Sequence, residues 1–138
     1  KNMCIFCKII NGEIPSKKIY EDEDVLAILD ISQATKGHTL VMPKKHFKNI
    51  LEIEDYEYLK VMDKVKDLAQ VIVKTFNANG CNILNNCNEV AGQTVDHFHV
   101  HILPRYNKEE LTIKFNENKL DLDQIQKDIL NNMPNEED

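Results

Sequence analysis

The chain has 138 residues, of which 42% are hydrophobic and 29% charged, with four glycines and four prolines, the make-up of one globular domain and not of a disordered or fibrous chain. A formal net charge of −6 argues against a general nucleic-acid binder, because affinity for a phosphate backbone comes from clustered Lys and Arg, although Lys44-Lys45 leaves room for a local basic patch. No apolar run reaches the roughly 18 to 20 residues that cross a bilayer, and Lys1-Asn2-Met3-Cys4 has no signal-peptide core, so no membrane association is expected and the cytoplasm is the expected compartment.

In that compartment thiols stay reduced, so Cys4, Cys7, Cys81 and Cys87 are expected as thiols or metal ligands and not as disulfides. Cys4-x-x-Cys7 has the spacing of a metal knuckle. With no second such pair it needs two further ligands from elsewhere in the chain; the alternative is a pair of buried thiols. Cys81 and Cys87 are expected in the core or in loops.

From Ile19 to Asp30 the pattern predicts two short strands around the acidic turn Glu21-Asp22-Glu23-Asp24, the second carrying the buried run Val25-Leu26-Ala27-Ile28-Leu29. Thr39-Leu40-Val41-Met42 predicts another strand, stopped at Pro43. Between Glu54 and Phe76 the apolar residues Tyr58, Met62, Val65, Ala69, Ile72, Val73 and Phe76 recur in steps that suit one face of a long helix, ending in the left-handed-tolerant Asn77-Ala78-Asn79-Gly80. Cys81 to Leu84 reads as a strand, Asn85 to Thr94 as a polar loop, and Val95 to Leu103 as a strand closed by Pro104. Asp121 to Asn132 predicts a C-terminal helix, and Pro134 to Asp138 an acidic tail. Together these predict an α+β domain spanning 1–138, with an antiparallel sheet of about five strands, one long helix and a C-terminal helix.

Three of the five histidines, His97, His99 and His101, alternate with Phe98, Val100 and Ile102. On extended backbone the imidazoles share one surface while the apolar residues enter the core. That surface is a solvated face, a metal site or a reaction centre. Rings two residues apart can share a metal, but the outer pair stand about 13 Å apart along a strand, which leaves at least one ring for other work. A neutral imidazole is nucleophilic near neutral pH, and adjacent rings can divide attack from charge stabilisation. The preceding Ala91-Gly92-Gln93-Thr94 offers amides and a hydroxyl to an anion.

The run from Ala91 to Leu103 resembles the signature of the histidine triad family, His-x-His-x-His followed by apolar residues. Cys4-Ile5-Phe6-Cys7-Lys8-Ile9, Gly12-Glu13-Ile14-Pro15, Asp30-Ile31-Ser32 and Gly37-His38-Thr39-Leu40-Val41-Met42-Pro43-Lys44-Lys45-His46 match family patterns too, so the likeness covers roughly residues 4–105. It implies a nucleotide phosphoryl-bond hydrolase in which His99 attacks the α-phosphorus and a nucleotidyl-histidine is then hydrolysed to a nucleoside monophosphate. His101 and His38 are then expected around the α-phosphate, Asn86, Gln93 and Thr94 on the phosphate and leaving-group side, Asp30 at the ribose and Ile31 beside the base. Zinc-bearing members imply a structural Zn²⁺ held by Cys4, Cys7, His46 and His97.

The N-terminal half resembles the protein-kinase-C-interacting branch, implying a purine nucleoside phosphoramidate, such as adenosine monophosphate joined to an amine, as substrate. Gly92-Gln93-Thr94-Val95 and Leu103-Pro104-Arg105 resemble the fragile histidine triad branch, which implies dinucleoside polyphosphates. A nucleotide-binding scaffold with vestigial catalysis is the reading from a different class. Family members usually form homodimers through the long helix and a sheet edge.

Overall fold

The first chain reversal is built by one carboxylate. Asp22 Oδ1 accepts the N–H groups of Asp24 and Val25, each at 2.8 Å, so the acidic turn is an Asx turn that sets two strands side by side. In the computed structural model, which describes residues 4–135, the elements are α1 (Ile5–Ile10), β1 (Lys18–Glu21), β2 (Val25–Leu29), β3 (Thr39–Pro43), α2 (Asp55–Thr75), β4 (Gly80–Leu84), β5 (Val100–Arg105) and α3 (Leu122–Asn132), with a 3₁₀ turn at Glu89–Ala91. The expected acidic tail lies in part outside the described residues.

The five strands form one antiparallel sheet in the order β1-β2-β3-β5-β4, so the chain is α+β as the sequence predicts. Its two faces are covered differently. Val25, Ala27, Val41, Val100, Ile102 and Phe98 pack against Val61, Val65, Leu68 and Ile72 of α2. Leu26, Ile28, Leu40 and Met42 point to the opposite face, beneath Phe6 and Ile9 of α1. With both faces covered, β2 and β3 are nearly continuous apolar runs, where a half-exposed strand would alternate.

Two strand boundaries and one helix face differ from the sequence expectation. The last strand starts at Val100 and not at Val95: β3 pairs only with Val100 to Ile102, while Phe98 N–H donates to the Phe47 carbonyl at 2.7 Å, a loop and not a ladder partner. It then runs through Pro104, which pairs with Cys81 and lies past the last residue joined to β3, where a missing N–H breaks no ladder bond on that side. On α2 the buried stripe is Val61, Val65, Leu68 and Ile72, with Tyr58, Met62 and Ala69 on its shoulder; Phe76 is exposed under the Lys36 ammonium. The helix ends at Thr75, and Asn77, just past the cap residue Phe76, has the left-handed φ of 53° expected of that turn.

Residues Cys4 to Ile10 carry no periodicity long enough to announce a helix, yet they form α1. Cys4 is its N-cap, with Sγ accepting the Cys7 N–H at 3.2 Å. Both knuckle cysteines are thus held on one helical turn. Cys81, expected in the core or a loop, is exposed on the edge strand β4, and Cys87 is half-buried in the loop that follows.

Candidate functional site

His99 is 8% exposed and His38 5%, so the imidazoles are buried among apolar side chains on the α1 face of the sheet. Although His97 and His99 precede β5, the alternation the sequence predicts persists: Phe98, Val100 and Ile102 enter the α2 core while the three imidazoles face the other way.

Backbone groups dictate where each ring keeps its proton. A carbonyl can only accept, so His97 Nε2, 2.8 Å from the Pro43 oxygen, and His99 Nδ1, 2.7 Å from the His97 oxygen, are the protonated nitrogens of their rings. That leaves a lone pair on His97 Nδ1 and another on His99 Nε2. An N–H can only donate, so His38 Nδ1, which receives the Ala34 N–H at 3.2 Å, is bare. The proton of neutral His38 therefore sits on Nε2, 2.9 Å from His101 Nδ1, and His101 carries its own on Nε2. These contacts leave the four rings in three states: His97 with a bare Nδ1, His99 with a bare Nε2, and the His38–His101 pair ending in an Nε2–H donor.

The protonation equilibria agree. Burial holds His99 below the ordinary imidazole range, with its bond to the His97 carbonyl working against that. Burial, then the neighbouring His99 and His38, lowers His101 to about 4, opposed by Asp30. Burial likewise lowers His38, again with Asp30 opposing. Asp30 Oδ2 lies 3.7 Å from His38 Nε2. At neutral pH the cluster is a set of neutral rings beside one carboxylate, so His99 Nε2 keeps a lone pair free to attack.

His97 turns away from this cluster toward α1. Its Nδ1 lies 3.5 Å from Cys4 Sγ, 3.6 Å from Cys7 Sγ and 3.1 Å from His46 Nδ1. The sulfurs are 3.1 Å apart, and His46 Nδ1 is 3.6 and 3.3 Å from them. Zn–S bonds of about 2.3 Å and Zn–N bonds of about 2.0–2.1 Å put tetrahedral donors roughly 3.3–3.8 Å apart. The quartet is within a few tenths of an ångström of that figure except at the sulfur pair, and its donor set is that of a structural zinc centre. The His97 bond to the Pro43 carbonyl fixes the ring with Nδ1 toward the other three donors, the kind of outer contact that a metal-binding imidazole uses. Burial and the adjacent Cys4 thiol push Cys7 up to about 11, and burial with His46 lowers His97 to about 4, so without a cation Cys7 stays a thiol and His97 a neutral ring at neutral pH. Asp30, His38 and His101 also converge, but the proton on His38 Nε2 points where a ligand lone pair would have to be, which disfavours a metal there.

Between α1 and β2 a cleft of about 210 Å³ opens onto His99 and His101, walled by Ile5, Ile9, Ile28 and Leu40 with Asp30 and Thr94 at its edge. Ile31 projects at its lip, 99% exposed. Asn86 lies across the following loop, donating to the Gly92 carbonyl at 3.3 Å. Gln93 is buried with its amide already engaged: Nε2 donates to the carbonyls of Lys48 and Val95, and Oε1 accepts the Asn88 N–H. In this arrangement it pins the loop before the triad. Larger, open depressions beside Arg105 hold no such cluster.

Three contributors escaped the sequence reading. Phe6 stands edge-on to His97 and His99, with centroids 6.0 and 4.9 Å away. Asn85 donates to the His99 carbonyl at 2.9 Å. Gln33 closes the loop that carries Asp30 and His38. The placement of Phe6 between two cysteines was a usable signal; the two amides announce themselves by nothing in composition or periodicity.

A buried group of neutral imidazoles lies beside an apolar slot, and the backbone run that carries it also supplies His97 to a four-donor sulfur and nitrogen cluster with Cys4, Cys7 and His46. The HIT domain model matches residues 11–108. An uncharacterised HIT-like protein of Methanocaldococcus jannaschii is 52% identical over 92% of this chain and 98% of its own length. An adenosine 5'-monophosphoramidase of Schizosaccharomyces pombe is 41% identical, covering 77% of each chain. Among solved structures, a HIT-family protein of Bacillus subtilis superposes with a TM-score of 0.90 at 46% identity, covering 97% of this chain and 99% of that one. A zinc-bound histidine triad protein of Mycobacterium smegmatis does so with a TM-score of 0.75 at 36% identity, over 83% and 84%. The chain belongs to the HIT family.

Proposed function

We propose that this chain is a nucleotide phosphoryl-bond hydrolase that cleaves purine nucleoside phosphoramidates, adenosine monophosphate joined to an amine, through a nucleotidyl intermediate on His99. The observation that carries the reading is the His99 ring itself: Nδ1 is bound to the His97 carbonyl at 2.7 Å, which leaves Nε2 as a lone pair at the floor of the cleft. The relative named adenosine 5'-monophosphoramidase supports the bond class.

In the first step a bond forms between His99 Nε2 and the α-phosphorus while the phosphorus–nitrogen bond breaks, the amine leaving with a proton from solvent. In the second, a water oxygen displaces Nε2, releasing the nucleoside monophosphate and returning one proton to solvent. The His101 Nε2–H faces the phosphate oxygens as their charge grows in each five-coordinate state, and His38 backs it. Asp30 accepts the ribose hydroxyls. The base lies against the apolar wall beside Ile31, and Asn86 and Thr94 serve the leaving side; Gln93 shapes that loop.

Cys4, Cys7, His46 and His97 hold Zn²⁺ in this reading. All four positions are filled by protein, so the ion's contribution is to tie α1 to the segment that carries His99.

The functional unit is read as one HIT domain working as a homodimer. Support comes from the C-terminal third: α3 buries none of its residues, and Phe115, Leu120, Leu122, Ile129 and Met133 stand 58–88% exposed. An apolar arm of this size fits the surface of a second copy, with edge strand β4 and the exposed Leu59 and Val71 of α2 as its receiving faces. No helix among the described residues is long and apolar enough to cross a membrane, and the unpaired cysteines support the cytoplasm as the compartment.

The test is turnover of an adenosine phosphoramidate and of a diadenosine polyphosphate by wild type and by His99→Ala. The phosphoramidate is expected to react faster, with His99→Ala at least 10³-fold slower, the scale on which losing a nucleophile acts. Preference for the polyphosphate would move the assignment to the fragile histidine triad type, and equal activity of the variant would end the nucleophile reading.

A further inference from the structure

The loop between β2 and β3 brings Asp30 and His38 together, and one side chain closes it. Gln33 Nε2 donates to the Asp30 carbonyl at 2.6 Å and to the His38 carbonyl at 2.8 Å, while Oε1 accepts the Gly37 N–H at 2.8 Å. Both ends of the loop and its last turn are thereby fastened to one carboxamide. Gln33 itself sits at φ 44°, a left-handed conformation that an L side chain adopts only when its surroundings hold it there.

The residue that follows it is Ala34, whose N–H meets His38 Nδ1 at 3.2 Å. That contact decides two tautomers in series: Nδ1 of His38 is bare, its Nε2–H donates to His101 Nδ1 at 2.9 Å, and the His101 proton resides on Nε2. Were the Ala34 N–H to swing away, His38 could protonate Nδ1 instead, and His101 would lose the partner that keeps its own Nδ1 bare.

We propose that Gln33 is a positioning residue that, by fixing the Ala34 N–H against His38, keeps His101 a donor through Nε2. This rests on the reading above of His101 as the phosphate-facing donor. Gln33 touches no substrate; it acts through two rings in sequence.

The experiment is long-range ¹H–¹⁵N correlation on imidazole-labelled protein, which assigns the protonated nitrogen of each ring and needs no substrate. Wild type is expected to show Nε2–H at both His38 and His101. Gln33→Ala is expected to give a mixture at His101, with amide shifts outside residues 30–38 retained. Should that variant fail to fold, Gln33→Glu keeps the acceptor for Gly37 but removes both donated bonds, and supplies the same readout. Turnover of the phosphoramidate by Gln33→Ala is expected to drop roughly tenfold in kcat with KM within about twofold, and the loss to vanish in a His101→Ala background, as for two residues acting as a unit. A His101 that stays wholly Nε2–H in the variants, or losses that multiply in the double variant, would overturn the proposal. Absence of turnover by wild type would instead remove the hydrolase reading, while the tautomers would still report on Gln33.

Discussion

Phe6→Leu tests whether the two halves of the site are mechanically joined. Phe6 is 7% exposed, shares the cluster of Ile9, Leu26, Ile28, Leu40 and Met42, and presents its ring to His97 on one side and His99 on the other. Leucine keeps much of the apolar volume, so the packing loss alone is about 1 kcal/mol. The two edge-to-face pairs add about 0.5–1.5 kcal/mol each, with the closer contact to His99 the stronger. The sum is about 2–4 kcal/mol, roughly a 7–14 °C fall in Tm for a chain of this size. Urea unfolding at constant m reads the loss directly. In turnover the His99 ring keeps its bond to the His97 carbonyl but loses a wall, so kcat/KM is expected to drop several-fold and not by the factor that loss of the nucleophile gives. A stability loss under about 0.5 kcal/mol, or a Phe6→Leu protein with unaltered stability and a dead site, would refute the reasoning.

Cys4→Ser and His46→Ala are expected to lose bound zinc by metal analysis of purified protein; zinc contents equal to wild type would remove the quartet as a metal site. Because burial and the adjacent rings lower His101 from an ordinary 6.5 to about 4, the unfolded chain binds a proton in that interval that the folded chain refuses. Stability therefore falls as pH drops from about 6.5 toward about 4, and His101→Gln is expected to show a shallower decline in urea titrations; an unchanged slope contradicts the assignment. Gly37→Ala is expected to destabilise by about 1–3 kcal/mol, because φ is +97° and a Cβ there would lie 3.0 Å from the Phe76 ring and 3.1 Å from Pro104; thermal melts within 1 °C of wild type would contradict it. Ile125→Asp with Ile129→Asp is expected to convert a dimer to monomer in light scattering with helix content kept, and an unchanged mass would detach the arm from any role between copies.

The sheet and long helix were legible in the sequence because their signals are local: alternation, a 3.6-residue period, and Asn at the helix stop. Where the reading slipped, tertiary context won. Val61 and Leu68 replaced Val73 and Phe76 on the buried stripe of α2 because the sheet meets the helix a fraction of a turn away from the face that spacing favoured. His97 and His99 lie before β5, since the Phe47 carbonyl takes the N–H that a neighbouring strand would have used. For the site, residue types and alternation located the imidazoles. Their division of labour depends on the carbonyls of Pro43 and His97 and on the Ala34 amide, groups every sequence contains and none advertises.

The most direct measurement is mass analysis of wild-type protein quenched in alkali during turnover of an adenosine phosphoramidate, where a phosphorus–nitrogen bond to imidazole survives. The account predicts one added adenylyl group per active chain, mapped by fragmentation to His99 and lost on acid treatment. No adduct under conditions where chemistry outruns hydrolysis, or an adduct on His101 or His38, would contradict it.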